Sequence, residues 1–126
     1  CYLGPSHPDF VDKAIELAKT ISIKPFELCI DTPLYFKKKR IVSLGLSREN
    51  SSLFLLARQL NSTLLECGFK PEKRSFTPHI TLKRTAKPVI RNIDNPIIWQ
   101  VNSFYLMRST LSKSSPKYEV MAEFPA

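Results

Sequence analysis

The sequence has no long hydrophobic run. Its apolar stretches stop far short of the ~20 residues a membrane-spanning helix needs, so no segment is expected to cross a bilayer. No signal-peptide pattern opens the chain. Cysteine is scarce and poorly spaced. Cys1, Cys29 and Cys67 make an odd count, with no C-x-x-C pair and no Cys/His cluster of zinc type, so no metal is expected. Cys29 lies in a strand-like run and Cys67 ends a helix-like one. Both read as small buried hydrophobes of a reduced, cytoplasmic protein. Repeats, low-complexity tracts and linkers are missing too, and nothing divides the chain into units.

What is present is one domain's worth of sequence. The 126 residues are 43% hydrophobic and 10% aromatic, enough for a core and too apolar for a disordered tail. Nineteen Lys and Arg against eleven Asp and Glu leave a net charge of +8, which favours a polyanionic partner.

Ser6-His7-Pro8-Asp9 has the form of a helix start, with proline in the first turn and acidic residues near the positive end of the dipole. Phe10, Val11, Ala14, Ile15, Leu17, Ala18 and Ile21 then form an apolar face at helical spacing, and Pro25 closes the segment. Phe26 to Ile30 and Ile41 to Leu46 read as strands, separated by Pro33 and the run Lys37-Lys38-Lys39-Arg40. A second helix is expected from about Asn50 to Glu66, with Gly68 just past its end. Further strands are expected at Ile97–Val101, Phe104–Leu111 and Lys117–Phe124, the last two joined as a hairpin. This order predicts an α+β domain.

The segment with most chemistry is Phe76-Thr77-Pro78-His79-Ile80-Thr81-Leu82. On a strand His79 and Thr81 share one face, while Ile80 and Leu82 turn toward the core. An imidazole beside a hydroxyl suits work on phosphate, because one moves a proton and the other donates to a non-bridging oxygen. Arg84 follows, and its planar fork matches phosphate oxygens. By spacing alone a single H-x-T occurs by chance in many proteins. His7, the other histidine, reads as a helix cap. The Lys37–Arg40 run reads equally as a solvated turn or as a non-specific RNA contact. Tyr35, Phe36 and Phe76 are base-stacking candidates that also fit a core.

The string Ser75-Phe76-Thr77-Pro78-His79-Ile80-Thr81-Leu82-Lys83-Arg84 resembles the second H-x-T/S-x motif of the 2H phosphoesterases. Within them it is most similar to the 2′-5′ RNA ligase / RNA 2′,3′-cyclic phosphodiesterase branch. Gly68-Phe69-Lys70-Pro71-Glu72 with Arg74 extends the likeness. So do Tyr2-Leu3-Gly4, Pro25 to Leu28, Ile41 to Leu46, Leu106 to Leu111 and Tyr118 to Phe124.

The resemblance implies a bilobal fold, with antiparallel sheets flanking a cleft and helices outside. It implies two H-x-T motifs whose histidines act as general base and general acid, without metal or cofactor. The implied reaction opens RNA 2′,3′-cyclic phosphate ends to 2′-phosphates, with 2′-5′ RNA ligation as the reverse activity. The implied partners are RNA ends or nucleotides bearing a cyclic phosphate, with no membrane and no obligate protein partner. His79 and Thr81 would be catalytic, and Arg84 would bind phosphate. Cys1-Tyr2-Leu3-Gly4 matches the stretch just after the family's first motif. Residues 1–126 are therefore expected to be a single domain lacking its N-terminal strands and that motif. The alternatives are an inactive RNA-binding module or fragment, and an enzyme of the same fold acting on a small cyclic nucleotide.

Overall fold

Pro8 opens the first helix of a computed structural model that describes residues 1–88 and 91–126. Helix α1 (Pro8–Ala18) begins where the proline ring already has helical φ, and the Nδ1 of His7 accepts the N–H of Asp9 at 3.3 Å. His7 is thus the cap that its position suggested. The helix stops at Ala18, earlier than Pro25 would require. Helix α2 (Ser51–Leu64) is capped by Asn50, whose Oδ1 accepts the N–H of Leu53 at 3.0 Å. A short 3-10 turn, Leu65–Cys67, follows it and ends at Gly68, whose φ of 87° glycine adopts without a Cβ penalty. The two helices meet over Ala14, Leu64 and Phe69, with Phe10, Leu17 and Leu60 packed around them.

Among the described residues seven strands accompany the helices: β1 (Phe26–Ile30), β2 (Thr32–Phe36), β3 (Ile41–Gly45), β4 (Ile80–Lys83), β5 (Ile97–Val101), β6 (Ser103–Thr110) and β7 (Lys117–Pro125). Every pairing among them is antiparallel. The sheets are β1–β5, β2–β3–β4 and the hairpin β6–β7. The expected α+β class and the terminal hairpin are both present. Among the described residues no helix is long and apolar enough to cross a membrane.

Strand β2 is a third strand between the helices, to which the sequence pattern gave no bounds. Pro33 argued against it, yet β2 is an edge strand, where a missing N–H costs no ladder hydrogen bond. A carboxylate ties its start to the rest of the sheet. Asp31 accepts from the backbone N–H of Ser47 at 2.8 Å and the Ser47 hydroxyl at 2.5 Å, and its own N–H donates to Gly45 O at 3.1 Å.

Two burial expectations are corrected. Cys29 is exposed, because strand alternation puts it on the face of Glu27 and buries Leu28 and Ile30 instead. Ile80 and Leu82 do not turn into a core: they are 41% and 56% exposed. Strand β4 is the other edge of its sheet, and both its faces are open. Cys67 is half-buried against the interhelical cluster.

Candidate active site

The three-stranded sheet positions every residue singled out around His79. Strand β3 runs through its middle, with Ile41, Ser43 and Gly45 buried on one face. Ser43 is paired with Leu34 of β2 on one side and with Thr81 of β4 on the other. Directly paired residues share a face, so Ser43, Leu34 and Thr81 lie together. His79, two residues before Thr81, continues that row.

Gly45 leaves room for the approach to His79. A Cβ there would stand 3.2 Å from the carbonyl oxygen of Pro78 and 2.5 Å from Cδ1 of Leu34. The Thr77-Pro78-His79 segment therefore lies close over the end of β3. At its tip the Nδ1 of His79 is 2.8 Å from Thr77 O. A carbonyl only accepts, so Nδ1–H donates and the neutral ring keeps its lone pair on Nε2. Among the described residues that Nε2 has no hydrogen-bond partner, and the side chain is exposed.

The imidazole has an aromatic neighbour. The ring of Phe36 lies with its centroid 4.8 Å from that of His79, tilted by 55°. Nothing in the sequence spacing pairs these two residues, since Phe36 belongs to a strand not recognised there. The other aromatic candidates are engaged elsewhere. Tyr35 donates its hydroxyl to Ala86 O at 3.0 Å, and Phe76 packs edge-on against Phe54 with centroids 5.3 Å apart.

A bulge decides the phase of the basic residues. Ser43 pairs with Thr81 but Val42 pairs with Lys83, so β4 carries one extra residue, Leu82. Simple alternation would put Lys83 in line with His79 and Thr81. The extra residue resets it and puts Lys83 with Val42 on the opposite face. Arg84 follows β4 directly, is exposed, and has no ion-pair partner among the described residues. His79 and Thr81 are thus on one row, with Phe36 against the ring and Arg84 just past the end of β4.

Ser43 was not legible as part of this site. It is 0% exposed, and its hydroxyl has no hydrogen-bond partner. The surface hollow lined by Leu3, His7, Phe10, Phe69 and Glu72 lies at the α1 end and does not include His79. Among the described residues no cluster of His, Cys, Asp and Glu could hold a metal ion.

This arrangement can take or give a proton at Nε2 while a hydroxyl and a guanidinium hold an anionic group. Compared with known proteins, residues 44–118 match the family model described as LigT-like phosphoesterase. The chain belongs to the LigT-like phosphoesterase family. The matched span includes β4 and the whole His79 row. An RNA 2′,3′-cyclic phosphodiesterase of Escherichia coli K12 is 30% identical over 110 residues, covering 85% of this chain and 62% of that protein. A Thermotoga maritima protein of the same name is 34% identical over 99 residues, covering 71% and 52%. The chain therefore spans about half to just over three-fifths of these relatives' length.

Solved LigT structures superpose closely. E. coli LigT complexed with 3′-AMP gives a TM-score of 0.90 at 26% identity, over 99% of this chain and 73% of that one. A second phosphoesterase structure gives 0.92, also at 26% identity and with the same coverage. The 2H phosphoesterase fold expected from the sequence is the one observed.

Proposed function

We propose that this LigT-like phosphoesterase opens RNA 2′,3′-cyclic phosphate ends to 2′-phosphates. The observation that carries the reading is the state of His79. Its Nδ1–H is spent on Thr77 O, its Nε2 is free, and Thr81 stands next along the same row of the sheet. Family membership and the activity named for the relatives support it.

In the proposed reaction water attacks the cyclic phosphorus and the bond from phosphorus to O3′ breaks. One imidazole takes the water proton, and a second acid delivers a proton to O3′. His79 serves as one of this pair. The resemblance of the motif implies an H-x-T partner as the other, since His7 is committed to capping α1. Thr81 donates to a non-bridging oxygen, and Arg84 clamps the phosphate through its planar fork. The positioning is mostly electrostatic, as phosphoryl transfer requires. A 5′-hydroxyl in place of water would give the 2′-5′ phosphodiester of a ligase product. The three free cysteines support a reducing, cytoplasmic setting for this work.

Phosphorus NMR of an RNA with a 2′,3′-cyclic phosphate end tests the proposal. The expected product is a 2′-phosphomonoester, and His79→Ala is expected to slow its appearance about 10²–10⁴-fold. Unchanged turnover in His79→Ala, or a 3′-phosphate product, would overturn it.

A further inference from the structure

Most of the positive charge of this protein falls in two stretches of the chain. Residues 32–48 and 73–93 hold β2, β3, β4 and their flanking segments. They carry eleven of the nineteen Lys and Arg, five in the first stretch and six in the second, and none of the eleven Asp and Glu. The remainder of the chain carries more acidic than basic residues.

The fold brings seven of these cations to one end of one sheet. In antiparallel order the end of β2, the start of β3 and the end of β4 are neighbours. Lys37, Lys38 and Lys39 form a 3-10 turn there, and Arg40 closes it at a φ of 51°. The carbonyl of Arg40 accepts the N–H of Ala86 at 2.9 Å, and Ala86 O accepts from the hydroxyl of Tyr35 at 3.0 Å. The turn is therefore fastened to the segment that carries Lys83, Arg84 and Lys87. All seven cations are exposed, and none forms an ion pair among the described residues. The turn also starts beside the candidate site, because Phe36, in contact with the ring of His79, immediately precedes Lys37.

We infer that the Lys37–Lys39 turn, with Lys87, is a track for the phosphodiester backbone of a single-stranded RNA whose end lies at His79. This rests on the cyclic-phosphate reading of that site and adds where the strand leading to that end lies. A mononucleotide ends at the imidazole and has no phosphate to place on the turn. An RNA strand has one every nucleotide, and each neutralised phosphate releases counterions. The gain from each contact is mostly that release.

The test is fluorescence anisotropy of the full chain with a labelled RNA of about twelve nucleotides ending in a 3′-hydroxyl, which His79 cannot open. Three phosphate contacts on a single strand contribute about 2 to the slope of log affinity against log salt. Lys37→Gln/Lys38→Gln/Lys39→Gln is expected to lower that slope by about this amount and to weaken binding at least about tenfold at ~50 mM salt. The charge-preserving Lys37→Arg/Lys38→Arg/Lys39→Arg keeps the wild-type slope. Lys113→Gln/Lys117→Gln, on the β6–β7 hairpin, leaves it unchanged. An unaltered slope in the glutamine triple variant, or an equal loss in the hairpin variant, would overturn the track. The readout is binding, so failure of the cyclic-phosphate chemistry appears in the phosphorus spectrum and failure of the track in the anisotropy.

Discussion

The rings of Phe36 and His79 meet at 4.8 Å across a strand that belongs to neither of them. Phe36 lies at the end of β2 and His79 just before β4, with β3 between. Their side chains must therefore reach over the buried face of β3, where Ile41, Ser43 and Gly45 stand. The missing side chain at Gly45 leaves room for Leu34 and for the carbonyl of Pro78, just before His79.

Phe36 accordingly holds the imidazole in place from the β2 side. An aromatic pair of this kind contributes about 0.5–1.5 kcal/mol. Phe36→Leu is expected to lower kcat about three- to tenfold with little change in KM, and Phe36→Tyr to restore it. The chemical shift of the His79 Cε1 proton should move in Phe36→Leu as the ring current is lost. A purely structural role would lower stability in both variants without the split between kcat and KM.

Ser43 offers a prediction of the opposite sign. Its hydroxyl is fully buried and unpartnered, and such a group costs about 1–3 kcal/mol of desolvation. Ser43→Ala removes the oxygen and leaves the space almost unchanged. The expected result is a rise in the urea midpoint corresponding to about 1 kcal/mol. A fall would show that the hydroxyl is satisfied in solution.

Asp31 sets an acid limit on stability. The hydroxyl and then the amide of Ser47, with the hydroxyl of Thr32, hold its carboxyl below the ordinary 3.8. A carboxyl lowered in the folded state favours folding at any pH above its unfolded value. That contribution is lost as pH falls through the lowered folded value. Ser47→Ala removes the largest cause and should flatten the acid side of the stability curve. Urea midpoints measured from about pH 6 down to about pH 2 check this. An unchanged acid slope in Ser47→Ala would remove Asp31 from the account.

Much of this protein was determined by local sequence. The α1 stripe, the caps at His7 and Asn50, and Gly68 after α2 each follow from backbone chemistry within a few residues, and the structure has them. Strands β1 and β5 follow from short-range alternation, as does the β6–β7 hairpin. Thr77-Pro78-His79-Ile80-Thr81 carried both the family likeness and the pairing of an imidazole with a hydroxyl, because residues two apart on a strand share a face.

Tertiary structure decided what lay between elements. Pro33 spoke against a strand until β2 took the edge of the sheet, where its missing N–H is harmless. Ile80 and Leu82 looked like core residues until β4 took the opposite edge with both faces open. Cys29 is exposed because its phase follows Glu27. Above all, the register of β4 against β3 inserted Leu82 as an extra residue, so Lys83 leaves the row of His79 and Thr81 that simple alternation would give it. A bulge changes which face every later side chain occupies, and that register is fixed by the pairing of two strands far apart in the chain. No pattern within either strand alone could contain it.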